Sequence, residues 1–78
     1  MERNSTFPIM SNKKLCIVIV YSDGPMEILE IESKSIIFSI KNDFRITAIR
    51  VIERDGHACL LTRDRERKIK IWEEPPID

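Results

Sequence analysis

The sequence predicts an all-β protein, an antiparallel meander of six or seven short strands. Three observations predict it. Short runs rich in Ile and Val alternate apolar with polar residues, the period of a half-buried strand. Asp23-Gly24 and Asp55-Gly56 sit between such runs, and Asp-Gly is a favoured two-residue hairpin turn because both positions need positive φ. The chain also echoes itself. Cys16-Ile17-Val18 returns as Cys59-Leu60-Leu61, and Met26-x-Ile28-Leu29-Glu30 returns as Ile69-x-Ile71-Trp72-Glu73, both at an offset of 43 residues. Ile9 and Ile52 keep that offset, as do the turn formers Asn12 and Asp55.

Each element follows in order. Residues 6–10 read as an edge strand, because Pro8 has no N–H to give to a ladder. Residues 15–22 pair with 26–32 across the first Asp-Gly, and residues 45–54 pair with 57–63 across the second. Residues 35–41 (SIIFSIK) and 67–73 (RKIKIWE) complete the set. Ser33-Lys34, Asn42-Asp43 and Asp64-Arg65-Glu66 supply the remaining turns, and Pro75-Pro76 ends the last strand. A helix over 25–40 is the rival reading, since Asp23-Gly24-Pro25 resembles a capped helix start. Ile, Ser and Phe dominate that window and Glu32-Ser33-Lys34-Ser35 interrupts it, so strands are preferred. The organisation is an N-terminal segment (1–12), a meander domain (13–74) and a short tail (75–78).

At 78 residues the chain is one small domain, with a hydrophobic fraction of 42% and a charged fraction of 33% typical of soluble globular chains. Thirteen basic residues balance thirteen acidic ones, so no long-range field draws the chain to nucleic acid or an anionic membrane. Residues 1–14 are too polar for a signal peptide, and the longest apolar run, 15–21, is too short to span a bilayer. Two cysteines so far apart match no metal spacing and no dense disulfide framework. An intracellular setting, cytoplasmic or nuclear, is the expectation, with no cofactor and no membrane.

Burial raises a separate question. In LCIVIVY both strand faces are apolar: Leu15, Ile17, Ile19 and Tyr21 on one, Cys16, Val18 and Val20 on the other. A strand like that is covered on both sides. Residues 35–41 look one-sided, with Ile36, Phe38 and Ile40 aligned. A single sheet from so short a chain cannot cover its own two faces. Either the meander closes into a small barrel or sandwich, or something else covers it.

Residues 46–74 (ITAIRVIERDGHACLLTRDRERKIKIWEE) resemble one WD-repeat of the β-propeller family. The likeness comprises an inner strand, a turn at 53–56 in the place of that family's "spdG" turn, a second strand, a polar turn and a third strand. Trp72-Glu73 stands where the family has Trp-Asp, and residues 5–32 trace the same outline with Leu29-Glu30 at the dipeptide. A repeat of roughly 40–45 residues matches such blades. Departures are plain: the Gly-His pair is absent, and the tight-turn Asp has Asp23 or Asp64 as its candidates. Propellers use about four to eight blades, and this chain holds fewer than two. The resemblance therefore implies a fragment, an oligomer or a piece that completes a partner's propeller.

Chemistry-bearing residues are sparse. His57 and Cys59 share one side of a strand, and a Cys–His pair can make a thiolate nucleophile. With no third residue to orient them, His57 reads as an exposed turn-flanking residue and Cys59 as a small core hydrophobe. Asp64, Glu66, Glu73 and Glu74 read as solvated turn and strand-end charges. No enzyme constellation emerges. The sequence instead points to a non-enzymatic interaction module that docks on a partner protein or on other copies of itself. Its expected contact residues are Arg67, Lys68, Lys70 and Trp72, with Phe38 and Ile36 as the buried or docked stripe. The alternative is a small β-barrel that binds single-stranded nucleic acid along the basic strand 63–72, where Lys68, Lys70 and Trp72 share a face.

Overall fold

The computed structural model describes residues 5–78, so the first four residues of the N-terminal segment lie outside the described residues. Among the described residues seven antiparallel strands form two sheets. The first holds β1 (Ser5–Ser11), β2 (Lys14–Val20), β3 (Met26–Glu30) and β4 (Ser35–Ile40) in sequence order. The second holds β5 (Ile46–Arg54), β6 (His57–Asp64) and β7 (Ile69–Trp72), also in order. Residues 25–40 are strands, not helix. Neither sheet closes on itself, so the barrel considered from the sequence is not formed.

Turn chemistry explains the hairpins. Asp55 (φ 52°) and Gly56 (φ 79°) make the expected two-residue loop between β5 and β6. Asn12 (φ 51°) and Lys13 (φ 63°) do the same between β1 and β2. The other Asp-Gly pair behaves differently. Asp23-Gly24 lies inside a five-residue loop, 21–25, in which Tyr21 donates to the Pro25 carbonyl (3.0 Å) and Gly24 to the Tyr21 carbonyl (3.1 Å). Glycine is required there by close approach: a Cβ on Gly24 (φ 118°) would stand 2.2 Å from the Asn42 carbonyl oxygen. β1 is an edge strand, with Pro8 opposite Ile17.

The 43-residue echo is built into the ladders. Ser5↔Val20, Ile9↔Cys16 and Ser11↔Lys14 in the first sheet become Ala48↔Arg63, Ile52↔Cys59 and Arg54↔His57 in the second. Ile17↔Leu29 and Val20↔Met26 become Leu60↔Trp72 and Arg63↔Ile69. Even the buried thiols match, with Cys16 Sγ 3.7 Å from the Lys14 carbonyl and Cys59 Sγ 3.7 Å from that of His57.

One apolar cluster joins the two sheets. Ile9, Cys16, Val18, Val20, Met26, Ile28 and Ile40 of the first meet Ile46 and Leu60 of the second, with Ile49, Trp72 and Ile77 at its margin. Asp78 ties the tail back to the first hairpin: its carboxylate accepts from the Asn12 N–H (2.8 Å) and the Lys13 N–H, and its own N–H donates to the Met10 carbonyl (3.0 Å). The whole measures 33 × 30 × 15 Å.

Candidate interaction faces

Residues directly opposite in an antiparallel ladder share a face, and alternation then sorts every strand position to one side or the other. In the first sheet Cys16, Val18, Val20, Met26 and Ile28 face the shared core and are fully buried. The opposite face carries Met10↔Leu15 and the row Pro8↔Ile17↔Leu29↔Ile36. Among the described residues nothing covers it fully: Leu15 is 52%, Ile36 47% and Met10 44% exposed. Tyr21 and Glu27 lie on this same side, joined by a 2.6 Å hydrogen bond from the phenol to Oε1. That bond favours the neutral phenol and pushes the Tyr21 pKa up, helped by burial.

The second sheet is arranged the same way. Leu60, Thr62 and Trp72 face the shared core, while Leu61, Arg63, Ile69 and Ile71 lie on the side turned away. Ile69 is 65% and Ile71 42% exposed there, beside the exposed Arg50 and Arg63. Each sheet thus buries one face and turns exposed apolar side chains outward on the other, although Cys59, on the outward side of the second sheet, is itself buried.

Ile36 and Phe38 part company. The ladder slips between Ile28 and Leu29, pairing Phe38 with Ile28 and Ile36 with Leu29, so Ile37 is the extra residue of a bulge. Phe38 consequently packs on the core and Ile36 joins the outer face, where simple alternation had put both on one stripe.

The basic strand is also less uniform than its sequence. β7 begins at Ile69, after Lys68, whose N–H donates to Asp64 Oδ1 (3.1 Å). Lys70 places Nζ 2.7 Å from Asn42 Oδ1 and 5.6 Å over the Trp72 ring. Trp72 donates its indole N–H to Thr62 Oγ1 at 2.9 Å. Lys70, though exposed, and the half-buried Trp72 are therefore both bonded to partners within the chain, and Arg67 (φ 64°) is exposed in the turn before β7.

These contacts belong to a polar cluster that the sequence did not flag. Asp64, expected to be a solvated charge, is only 4% exposed. Its Oδ1 accepts from the N–H groups of Glu66 (2.8 Å) and Lys68 (3.1 Å), and its Oδ2 from the Asn42 amide (3.4 Å). Burial works to raise the Asp64 pKa, but the Lys68, Asn42 and Glu66 donors together with Lys70 outweigh it and hold the carboxyl below its ordinary value. The one legible signal was an Asp two residues before Glu66, the spacing at which an Asp side chain bonds the backbone of its own turn.

His57 and Cys59 line a shallow depression with Asn12, Glu73, Pro75 and Asp78. Cys59 is buried and points its sulfur at the His57 carbonyl, and His57 is exposed. Among the described residues no group of three or more His, Cys, Asp or Glu side chains is placed to hold a metal. No helix there is long and apolar enough to cross a membrane. Comparison with known proteins returns no matching family model, no matching curated protein and no matching solved structure.

Proposed function

We propose that this chain is a non-enzymatic protein–protein interaction module, propeller-like in architecture, which docks through the uncovered faces of its two sheets. One observation carries the reading: Leu15, Met10 and Ile36 are exposed on the outer face of the first sheet, beside the half-buried Ile17 and Leu29 of the same apolar row. Fully burying one such side chain is favourable by about 1.5–3 kcal/mol, so several in one row make a docking surface worth far more than its rim charges. Contiguous apolar faces of this kind mark interaction sites on soluble proteins. The blade likeness supports the reading through the repeated ladder registers and through Trp72, packed at the sheet interface. Lys70 and Trp72 are occupied within the fold, which is why the basic strand is not the preferred surface for a partner or a nucleic acid.

Binding of a hydrophobic dye, followed alongside solution mass across a range of protein concentrations, tests the reading. The expected result is association at high concentration and dye binding at low concentration, both reduced by Leu15→Glu with Ile36→Glu while circular dichroism stays unchanged. A dye-silent monomer at every concentration would refute it.

A further inference from the structure

We propose that the occupant of each uncovered face is a second copy of this chain, stacked front to back, so that the outer face of one copy's first sheet covers the outer face of the next copy's second sheet. This rests on the interaction-module reading and names its partner. The placement of repeat-related residues carries it. Cys16, Val18 and Val20 line the buried face of the first sheet, and their counterparts 43 residues on, Cys59, Leu61 and Arg63, lie on the side of the second sheet turned away from the first, where Cys59 is buried, Leu61 half-buried and Arg63 exposed. Conversely Leu60, Thr62 and Trp72 line the interface, and their counterparts Ile17, Ile19 and Leu29 lie on the outer face of the first sheet. The contact inside the chain thus joins the front of one repeat to the back of the next. A head-to-tail contact of that kind always leaves one front and one back uncovered. The two uncovered faces are the repeat equivalents of the two already packed together, so the same contact can be made again between copies.

Charge agrees with this choice of partner. Glu27 lies on the free face of the first sheet, whereas Arg50 and Arg63 lie on that of the second. Packing either face against itself by a two-fold axis would bring like charges into one interface, which disfavours that pairing. Front-to-back packing opposes unlike ones. Radial arrays of sheets close at about four to eight, and two sheets per chain give a ring of two to four copies.

Complementation between two variants is the decisive experiment. Leu15→Glu disables the free face of the first sheet, and Ile71→Glu that of the second, both at exposed positions. Light scattering on the wild type is expected to give two to four times the 9.2 kDa chain mass. Each variant alone is expected to be a folded monomer, and an equimolar mixture at high concentration to double in mass, because one intact front still meets one intact back. Should either glutamate unfold the chain, Ile36→Lys and Ile69→Lys offer the same pair at exposed sites. Association abolished by one variant and untouched by the other, or variants that fail to complement, would overturn the proposal. A folded wild-type monomer overturns it too. If that monomer still binds dye through the Leu15 face, the interaction-module reading stands with a different partner; if it is dye-silent, both fall.

Discussion

Gly24 and Asp64 hold the junction between the sheets from opposite sides of Asn42. Gly24 lets the 21–25 loop pass within contact of the Asn42 backbone, and its φ of 118° is closed to other residues at low cost. Gly24→Ala is therefore expected to destabilise the chain by more than about 2 kcal/mol, combining strain with a backbone clash. Gly56→Ala, with nothing within 4 Å of its Cβ, is expected to cost only about 1 kcal/mol. Paired chemical denaturation curves check the contrast. Asp64 gives a pH signature. Its folded pKa lies below the unfolded value, so its contribution is complete above the unfolded pKa of about 4 and is lost as pH falls through the lower, folded value. Thermal melts of wild type and Asp64→Asn are expected to differ by several degrees at neutral pH. They should converge once the pH falls below the folded pKa of Asp64. A gap that persists in acid would mean that packing, not charge, is what the carboxylate supplies.

At the scale of elements, the two sheets divide burial unevenly along each strand, and substitutions should follow that division. Ile28 is 1% exposed at the centre of β3, so Ile28→Ala is expected to cost about 2–5 kcal/mol. Such a loss consumes much of the roughly 5–15 kcal/mol typical of a small domain. Leu15→Ala on the opposite face of the neighbouring strand should be close to neutral in a monomer, and urea titration of the two variants measures the difference. Thiol titration reads the same geometry, since Cys16 and Cys59 are both buried and burial, with Glu30 and Asp78 nearby, pushes the Cys16 pKa up. Both thiols are expected to resist alkylation until the chain unfolds. Strand positions were legible in the sequence because alternating Ile-rich runs and Asn or Asp turns are local signals. Two features were not. The bulge at Ile37 moved Ile36 off the stripe it seemed to share with Phe38, and a bulge leaves no mark in a run of apolar residues. Asn42 and Asp64 read as turn residues because their burial depends on the second sheet folding back across the first, a contact between residues 22 positions apart.

At the scale of the molecule, the echo and the fold tell one story. The same ladder register appears twice, and each copy of it buries one face and turns exposed apolar side chains outward on the other. A chain this small buries only about 60% of its unfolded surface, which leaves its stability marginal when it stands alone. Anything that binds the folded form adds RT ln(1 + [L]/Kd), so self-association makes stability depend on protein concentration. Each tenfold rise in concentration above Kd is then worth up to about 1.4 kcal/mol. In a domain of 60–100 residues that shifts the melting temperature by roughly 6–11 °C. The wild type is expected to melt at progressively higher temperature as it is concentrated, and Leu15→Glu at one temperature throughout. Scanning calorimetry over two decades of concentration separates the cases. A wild-type melting temperature that does not move would show that two sheets, each with exposed apolar side chains on one face, are enough to hold this chain together without a second copy.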